Sequence, residues 1–117
     1  MRIMAIDDEA GILEVFERFL PPRGYELKVF SNSKKALEEI EHGALAGVDL
    51  VVLDLRMPDV DGRRILKKVK ESGDTPVLIL TGSMEASMAA ELGADDIMFK
   101  PVKMEELLEK IQEMTRR

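Results

Sequence analysis

The chain has 117 residues, of which 45% are apolar, so it is long enough for one globular domain with its own core. Its formal net charge of −6 argues against nucleic-acid binding through phosphate contacts, and the absence of cysteine excludes disulfides and thiolate metal sites. Because no signal peptide is recognisable and no apolar run approaches the ~20 residues of a membrane span, we expect a cytoplasmic protein without membrane contact, in which residues 1–117 form a single domain.

Strand and helix patterns alternate along the chain. Short apolar or alternating runs predict strands at 3–6, 25–30, 50–53, 77–80 and 97–99. Apolar residues at helical spacing predict helices from Ile12 to Leu20, from Ser33 to near Gly43, from Asp61 to Val69, from about Met84 to Gly93 and from Met104 to Ile111. Ser33 and Asp61 are candidate N-caps, and Pro21 ends the first helix.

Strict alternation of strand and helix predicts an α/β fold with a parallel sheet and helices on both faces, because parallel strands need crossover connections. Five such units fit the flavodoxin-like, doubly wound (βα)5 fold with strand order 2-1-3-4-5. In that order the first and third strands are neighbours, and ligands bind at their carboxyl ends.

Charged and polar residues lie where these strands end. Asp7 and Asp8 follow the first strand, Asp54 ends the third, Thr81 the fourth and Lys100 the fifth. In the expected strand order all five side chains meet at one edge of the sheet. Crowded carboxylates disfavour mutual ionisation, so the cluster calls for positive charge. A divalent cation and the lysine are the candidates.

Six segments, in this order, resemble the receiver domain of response regulators in two-component signalling, the CheY-like superfamily. They are Asp7-Asp8-Glu9, Asp49 to Pro58, Asp61-Gly62, Thr81-Gly82, Gly93 to Asp96 and Lys100-Pro101. The similarity extends over essentially the whole chain. It implies a signalling switch rather than an enzyme, one that assists only its own phosphorylation and slow dephosphorylation.

The resemblance also implies residue roles. Asp54 would accept a phosphoryl group as the nucleophile. Asp7, Asp8, Asp54 and the backbone carbonyl of Arg56 would hold Mg²⁺ or Mn²⁺, with Asp8 as a direct ligand and Asp7 acting largely through water. Lys100 would pair with Asp54 and then with phosphoryl oxygens.

Further implications concern partners and phosphate lifetime. Thr81 would contact a phosphoryl oxygen, and the Lys100-Pro101 bond resembles one that is cis in the family. The phosphodonor would be a sensor histidine kinase or a histidine phosphotransfer domain. A downstream protein would bind the face of the fourth helix, fifth strand and fifth helix, with no direct nucleic-acid contact. Arg56 and Ser83 would flank the path of the water that hydrolyses the phosphate.

Two features depart from the family pattern. Ile97 replaces the Tyr or Phe that usually lies three residues before the lysine, which predicts a readout without an aromatic switch. The segment from Thr81 to Lys100 is about one helical turn shorter than in many relatives.

Other interpretations of the same residues remain open. Asp7 and Asp8 are also candidates for capping the first helix, alone or in addition to binding a metal. Alternative functions are an interaction module of this fold that works without phosphorylation, a phosphohydrolase of the haloacid dehalogenase type, and a nucleotide or flavin binder. The phosphohydrolase requires Asp-x-Asp spacing and a cap domain, and the binder requires a glycine-rich loop after the first strand. Since no segment follows the fifth helix, the chain fits either a stand-alone regulator or a receiver from a longer protein.

Overall fold

A five-stranded, fully parallel sheet runs through the computed structural model, which describes residues 1–82 and 86–116, with residues 86–88 described by their backbone alone. The strands are β1 (Arg2–Ile6), β2 (Glu26–Phe30), β3 (Leu50–Asp54), β4 (Val77–Thr81) and β5 (Asp96–Phe99). Their order is β2-β1-β3-β4-β5, which confirms the order expected for the flavodoxin-like fold. The switch point between β1 and β3 therefore lies where the acidic residues end their strands.

Helices connect the strands on both faces of the sheet. They are α1 (Ala10–Phe19), α2 (Ser33–Glu41), α3 (Gly62–Ser72), α4 (Ala86–Glu91) and α5 (Met104–Thr115), and a short 3₁₀ turn covers Pro21–Arg23. The start expected near Met84 for the fourth helix lies outside the described residues. None of the described helices combines the length and apolarity that a membrane crossing requires.

The core has two layers because successive strand residues point to opposite faces of the sheet. Ile3 and Ala5 of β1 face α1 and α5, where they pack with Phe16 and Leu107. The other face of the sheet packs on α2, α3 and α4 through residues that include Met4, Ile6, Leu53, Leu37 and Leu66. Both faces of β1, β3 and β4 are thus covered, which explains their continuous apolar sequences.

The helix caps confirm one prediction and correct another. Asp61 caps α3, with its Oδ1 accepting a hydrogen bond from the Arg63 N–H at 2.9 Å. Ser33 is not the cap of α2, since the Asn32 side chain accepts the Lys35 N–H at 2.9 Å and Ser33 is the first helical residue. The Ser33 hydroxyl instead accepts a hydrogen bond from the Val60 N–H at 2.8 Å. Both residue types suit an N-cap, so the local sequence does not distinguish them.

Candidate functional site

The carboxyl edge of the sheet brings together the side chains that the sequence placed at strand ends. Asp54 is the last residue of β3, between β1 and β4. Asp7 follows β1 directly, and its N–H donates to the Phe30 carbonyl of β2 at 3.1 Å. Thr81, the last residue of β4, is fully buried, while Asp7 and Asp54 are only 1% and 5% exposed. Burial of two carboxylates at one sheet edge requires a compensating partner.

Lys100 is that partner. Its Nζ lies 2.9 Å from Asp7 Oδ2, 2.9 Å from Glu9 Oε1 and 3.4 Å from Asp54 Oδ2. The Lys100 side chain is only 14% exposed, and the Lys100 N–H donates to the Thr81 carbonyl at 2.9 Å. An ammonium has three N–H donors, so these three carboxylates occupy its full donor capacity. The Lys100-Pro101 peptide bond is cis, as expected.

Backbone N–H groups hold the remaining oxygens of the two buried aspartates. Glu9 N–H donates to Asp7 Oδ1 at 2.9 Å, and Arg56 N–H donates to Asp54 Oδ1 at 3.1 Å. The alternative in which Asp7 and Asp8 cap the first helix is wrong, because Glu9 is the N-cap residue of α1. Asp7 accepts the N–H of Glu9, which is itself the N-cap residue of α1 and makes no side-chain capping bond.

Burial dominates the electrostatics of the two aspartates. It raises the pKa of Asp7 and of Asp54 above the usual aspartate value, although backbone N–H groups and Lys100 act in the opposite direction. Asp8 adds a repulsive charge that also raises the Asp54 pKa. For Lys100, burial lowers the pKa, but hydrogen bonds to Asp7 and Glu9 and the charges of Asp7 and Asp54 raise it well above its ordinary value. One cation thus faces more negative charge than it can neutralise.

Asp8 differs from the two buried aspartates in its surroundings. It is exposed and lines an open cleft of about 380 Å³ together with residues that follow β3, including Arg56, Met57 and Asp61. The cleft therefore places Asp8 beside the segment that carries the Arg56 carbonyl. Among the residues that the structure describes, one carboxylate oxygen each from Asp7, Glu9 and Asp54 lie within 4.8 Å of one another. This all-oxygen set suits a hard cation such as Mg²⁺.

Two residues of the site were named from the sequence only as parts of motifs, and their roles were not predicted. Glu9 was recognised only as part of a motif, yet its carboxylate contacts Lys100. Gly62 begins α3 so close to β3 that an added Cβ would lie 2.4 Å from the Asp54 carbonyl oxygen and 2.6 Å from Leu55 Cα. Glu9 carried a weak signal in its position two residues after Asp7. Gly62 belonged to the Asp61-Gly62 motif, but nothing in the sequence indicated its close packing against β3.

Ile97 and Ser83, two further residues named from the sequence, have different outcomes. Ile97 is half-buried and packs on the core cluster that faces α2, α3 and α4. Phe99, the aromatic residue of β5, is exposed. Ser83 lies outside the described residues.

Comparisons with known proteins identify one family. The family model described as "Response regulator receiver domain" matches residues 3–112. Response regulator MprA of Mycobacterium leprae is 36% identical over all of this chain and 52% of its own length. Transcriptional regulatory protein DltR of Streptococcus agalactiae is 35% identical over 99% of this chain and 52% of its own length. The chain thus spans about half the length of the curated relatives it matches.

Solved structures match over nearly their whole length. A CheY-like response regulator receiver domain protein from Methanospirillum hungatei has a TM-score of 0.86 and 31% identity, covering 97% of this chain and 92% of its own. A two-component response regulator from Clostridium difficile has a TM-score of 0.87 and 26% identity, covering 100% of this chain and 97% of its own.

Proposed function

Because this chain belongs to the response regulator receiver domain family, we propose that Asp54 is its phosphoacceptor and that Lys100 and Thr81 assist the transfer. The observation that carries the proposal is the contact of one nearly buried ammonium with Asp7, Glu9 and Asp54 at the carboxyl edge of the sheet. Family membership decides against the haloacid dehalogenase type of phosphohydrolase and against a nucleotide or flavin binder.

The reaction is the transfer of a phosphoryl group from a nitrogen or oxygen atom of the donor to an oxygen atom of Asp54. An oxygen of the Asp54 carboxylate attacks the phosphorus of the donor and forms an acyl phosphate. The bond from phosphorus to the donor breaks at the same time, and its electron pair leaves with the donor's imidazole nitrogen or acyl oxygen. Such a transfer depends mainly on positioning and on neutralising charge. Lys100 supplies a point charge for the phosphoryl oxygens, and the Thr81 hydroxyl supplies a hydrogen bond.

The donor set fits a divalent cation. Asp7, Asp8, Asp54 and the Arg56 carbonyl would hold Mg²⁺ or Mn²⁺, and the excess of carboxylates over cations at this edge supports that assignment. Bound Mg²⁺ would neutralise charge on the transferring phosphoryl group. Glu9 belongs to the same oxygen cluster but is already engaged by Lys100.

Phosphorylation at Asp54 would act as a switch for partner binding. The donor would be a sensor histidine kinase or a histidine phosphotransfer domain, and the output face would be the one built by α4, β5 and α5. On that face, the large apolar side chain of Phe99 is exposed on β5, an edge strand. Catalysis by this chain would be limited to its own phosphorylation and slow dephosphorylation.

The curated relatives are about twice as long as the region that matches this chain. Among them, DltR of Streptococcus agalactiae carries the name of a transcriptional regulatory protein and is about twice as long as the matched region. We propose that the described chain acts as the receiver part of a regulator and makes no nucleic-acid contact itself. The chain has a formal net charge of −6, which disfavours contact with phosphates.

Intact-protein mass spectrometry after incubation with acetyl phosphate and Mg²⁺ tests the proposal. We expect one added phosphate on the wild-type chain and none on Asp54→Ala. Asp74→Asn is the control, because this exposed aspartate precedes β4 at the opposite end of the sheet and should be labelled like wild type. Phosphate on Asp54→Ala would contradict the assignment. A folded wild-type protein that takes up no phosphate would instead favour an interaction module that works without phosphorylation.

A further inference from the structure

The Glu9 side chain has an unexpected partner for a residue at the start of a helix. Glu9 is the N-cap of α1, and its backbone carbonyl accepts the Ile12 N–H at 3.1 Å, but its carboxylate makes no capping hydrogen bond. The carboxylate instead reaches Lys100, 91 residues further along the chain, with Oε1 at 2.9 Å from Nζ. The carboxylate of Glu9 therefore has no capping role at the start of α1.

Contacts of Lys100 are uneven across the site. The two short ones, both 2.9 Å, go to Asp7 and Glu9, whereas the contact to Asp54 is 3.4 Å. Asp7 and Glu9 are also tied to each other, because the Glu9 N–H donates to Asp7 Oδ1 at 2.9 Å. These two carboxylates therefore hold the ammonium on the β1 side of the site.

We propose that Glu9 is a positioning residue, which holds the Lys100 ammonium closer to Asp7 than to Asp54 until Asp54 is phosphorylated. The resting position of Lys100 follows from geometry alone. The kinetic consequence rests on the proposed function, since it requires Asp54 to be the phosphoacceptor.

The consequence concerns competition for one cation. A phosphoryl group on Asp54 adds negative charge and oxygen acceptors to the third member of the cluster. Lys100 then gains by moving toward Asp54, and it must loosen its contact with Glu9 to do so. Because the Glu9 side chain is 58% exposed, solvent weakens this contact. Its loss should change the phosphorylation rate by about 1.5- to 5-fold, the range expected for an ion pair with an exposed partner.

Two variants separate position from charge. Glu9→Ala removes both the charge and the contact with Lys100, whereas Glu9→Asp keeps the charge but shortens the side chain by one methylene. Glu17→Gln is the matched control, because it removes one carboxylate from an exposed position of α1 that has no described contact with Lys100. Thermal melts of all three variants verify that each is folded.

The first measurement is the ¹⁵Nζ signal of Lys100 in the metal-free, unphosphorylated protein, assigned by its loss in Lys100→Arg. We expect this signal to move in both Glu9→Ala and Glu9→Asp and to stay in place in Glu17→Gln. A signal that is unchanged in Glu9→Ala would overturn the proposal. This readout does not require phosphorylation, so it remains decisive even if Asp54 proves not to be phosphorylated.

The second measurement is the rate of phosphorylation by acetyl phosphate at saturating Mg²⁺. We expect Glu9→Ala and Glu9→Asp to react about 1.5- to 5-fold faster than wild type, and Glu17→Gln to match wild type. Wild-type rates in Glu9→Asp, with faster rates in Glu9→Ala, would show that only charge matters and would overturn a positioning role. Calorimetric titration with Mg²⁺ completes the test, because a loss of more than about ten-fold in affinity in Glu9→Ala would assign Glu9 to the metal instead.

Discussion

At the scale of single residues, three carboxylates surround one lysine at the carboxyl edge of the sheet. Asp7 and Asp54 are almost fully buried, and Lys100 is the cation that contacts both. Burial raises the pKa of both aspartates, which means that the fold disfavours their charged forms. Receiver function thus has a cost in stability that a bound cation or a neutral side chain should relieve.

Replacing Asp54 by Asn tests this cost. The amide keeps the shape of the side chain but removes a buried charge, so the free energy of unfolding without metal should rise by on the order of 1 kcal/mol at neutral pH. Because the folded-state pKa of Asp54 is raised, wild type gains stability as pH falls from above that pKa toward the unfolded value of 3.8. The advantage of the variant should therefore shrink from pH 8 to pH 4 in urea melts. A constant or growing advantage toward acid would contradict this account.

Lys100→Met should have the opposite effect. It leaves Asp7, Glu9 and Asp54 without their cation, and removal of one partner from a largely buried ion pair costs about 2–4 kcal/mol. Lys110→Met is the control, since Lys110 pairs with Asp96 at the surface at 2.8 Å and should cost only ~0.2–1 kcal/mol. Guanidinium melts measure both, and equal losses in the two variants would contradict the role assigned to Lys100.

At the scale of helices and strands, the sequence predicted the elements well because their signals are local. Continuous apolar runs identified β1, β3 and β4, and the observed strand order is that of the flavodoxin-like fold to which the alternation of strands and helices pointed. Ser33 was assigned as a cap in error, since Asn32 beside it is an equally good capping residue and the Ser33 hydroxyl binds Val60, 27 residues away. Long-range contacts of this kind have no local sequence signal.

The same limit applies to the candidate site. Asp7, Asp54 and Lys100 were predicted together because strand ends and strand order suffice to bring them together. The roles of Glu9 and Gly62 were missed because they depend on distances across the fold. Asp95 belongs to one of the family-like motifs, yet it lies at the opposite end of the sheet from the site. Its carboxylate accepts hydrogen bonds from Lys70 Nζ and from the Val77 N–H.

Gly62 gives a prediction at the junction of β3 and α3. An added methyl group would meet backbone atoms of Asp54 and Leu55 at 2.4 to 2.9 Å, and the Gly62 N–H already donates to the Leu55 carbonyl. Gly62→Ala should therefore destabilise the protein by at least ~1–3 kcal/mol and displace the chain that carries Asp54. Gly11→Ala is the control, because Gly11 lies in α1 with nothing near its Cβ position.

Gly11→Ala should stabilise the protein by ~0.5–1 kcal/mol, since alanine is the better helix former. Urea melts of both variants measure the pair. Only Gly62→Ala should also slow the phosphorylation of Asp54. An unchanged free energy of unfolding in Gly62→Ala would show that β3 and α3 can move apart without loss of stability, which would contradict this prediction.

At the scale of the whole molecule, ligands at the sheet edge are coupled to folding. A cation that binds only the native state stabilises it by mass action, by about 2.7 kcal/mol at 100 times its Kd. Millimolar Mg²⁺ should therefore raise the melting temperature. Asp8→Ala should remove most of the increase, because Asp8 lines the open cleft where the cation would enter. Asp59→Ala, at an exposed aspartate of the neighbouring loop, should keep it. Identical melting curves with and without Mg²⁺ would count against the site.

Coupling from the site to the output face should run through Thr81. Thr81 is fully buried, and its carbonyl binds the Lys100 N–H, so it links β4 to the end of β5. A phosphoryl group would offer the Thr81 hydroxyl a charge-assisted partner and bias a pre-existing equilibrium between two conformations. Ile97 has no ring to reorient, and it packs on the core as an ordinary apolar residue. The response should therefore depend on Thr81 and not on Ile97.

Amide chemical shifts of residues 96–104, recorded with and without phosphorylation, measure this coupling. Thr81→Ala should still be phosphorylated but should lose most of the shift changes across β5 and the start of α5. Ile97→Ala should lower stability, because a half-buried core side chain is shortened, yet it should keep most of those changes. Mass spectrometry of the same samples verifies equal phosphorylation. Full changes in Thr81→Ala together with their loss in Ile97→Ala would mean that position 97 transmits the signal without an aromatic ring, by repacking of the core cluster it belongs to.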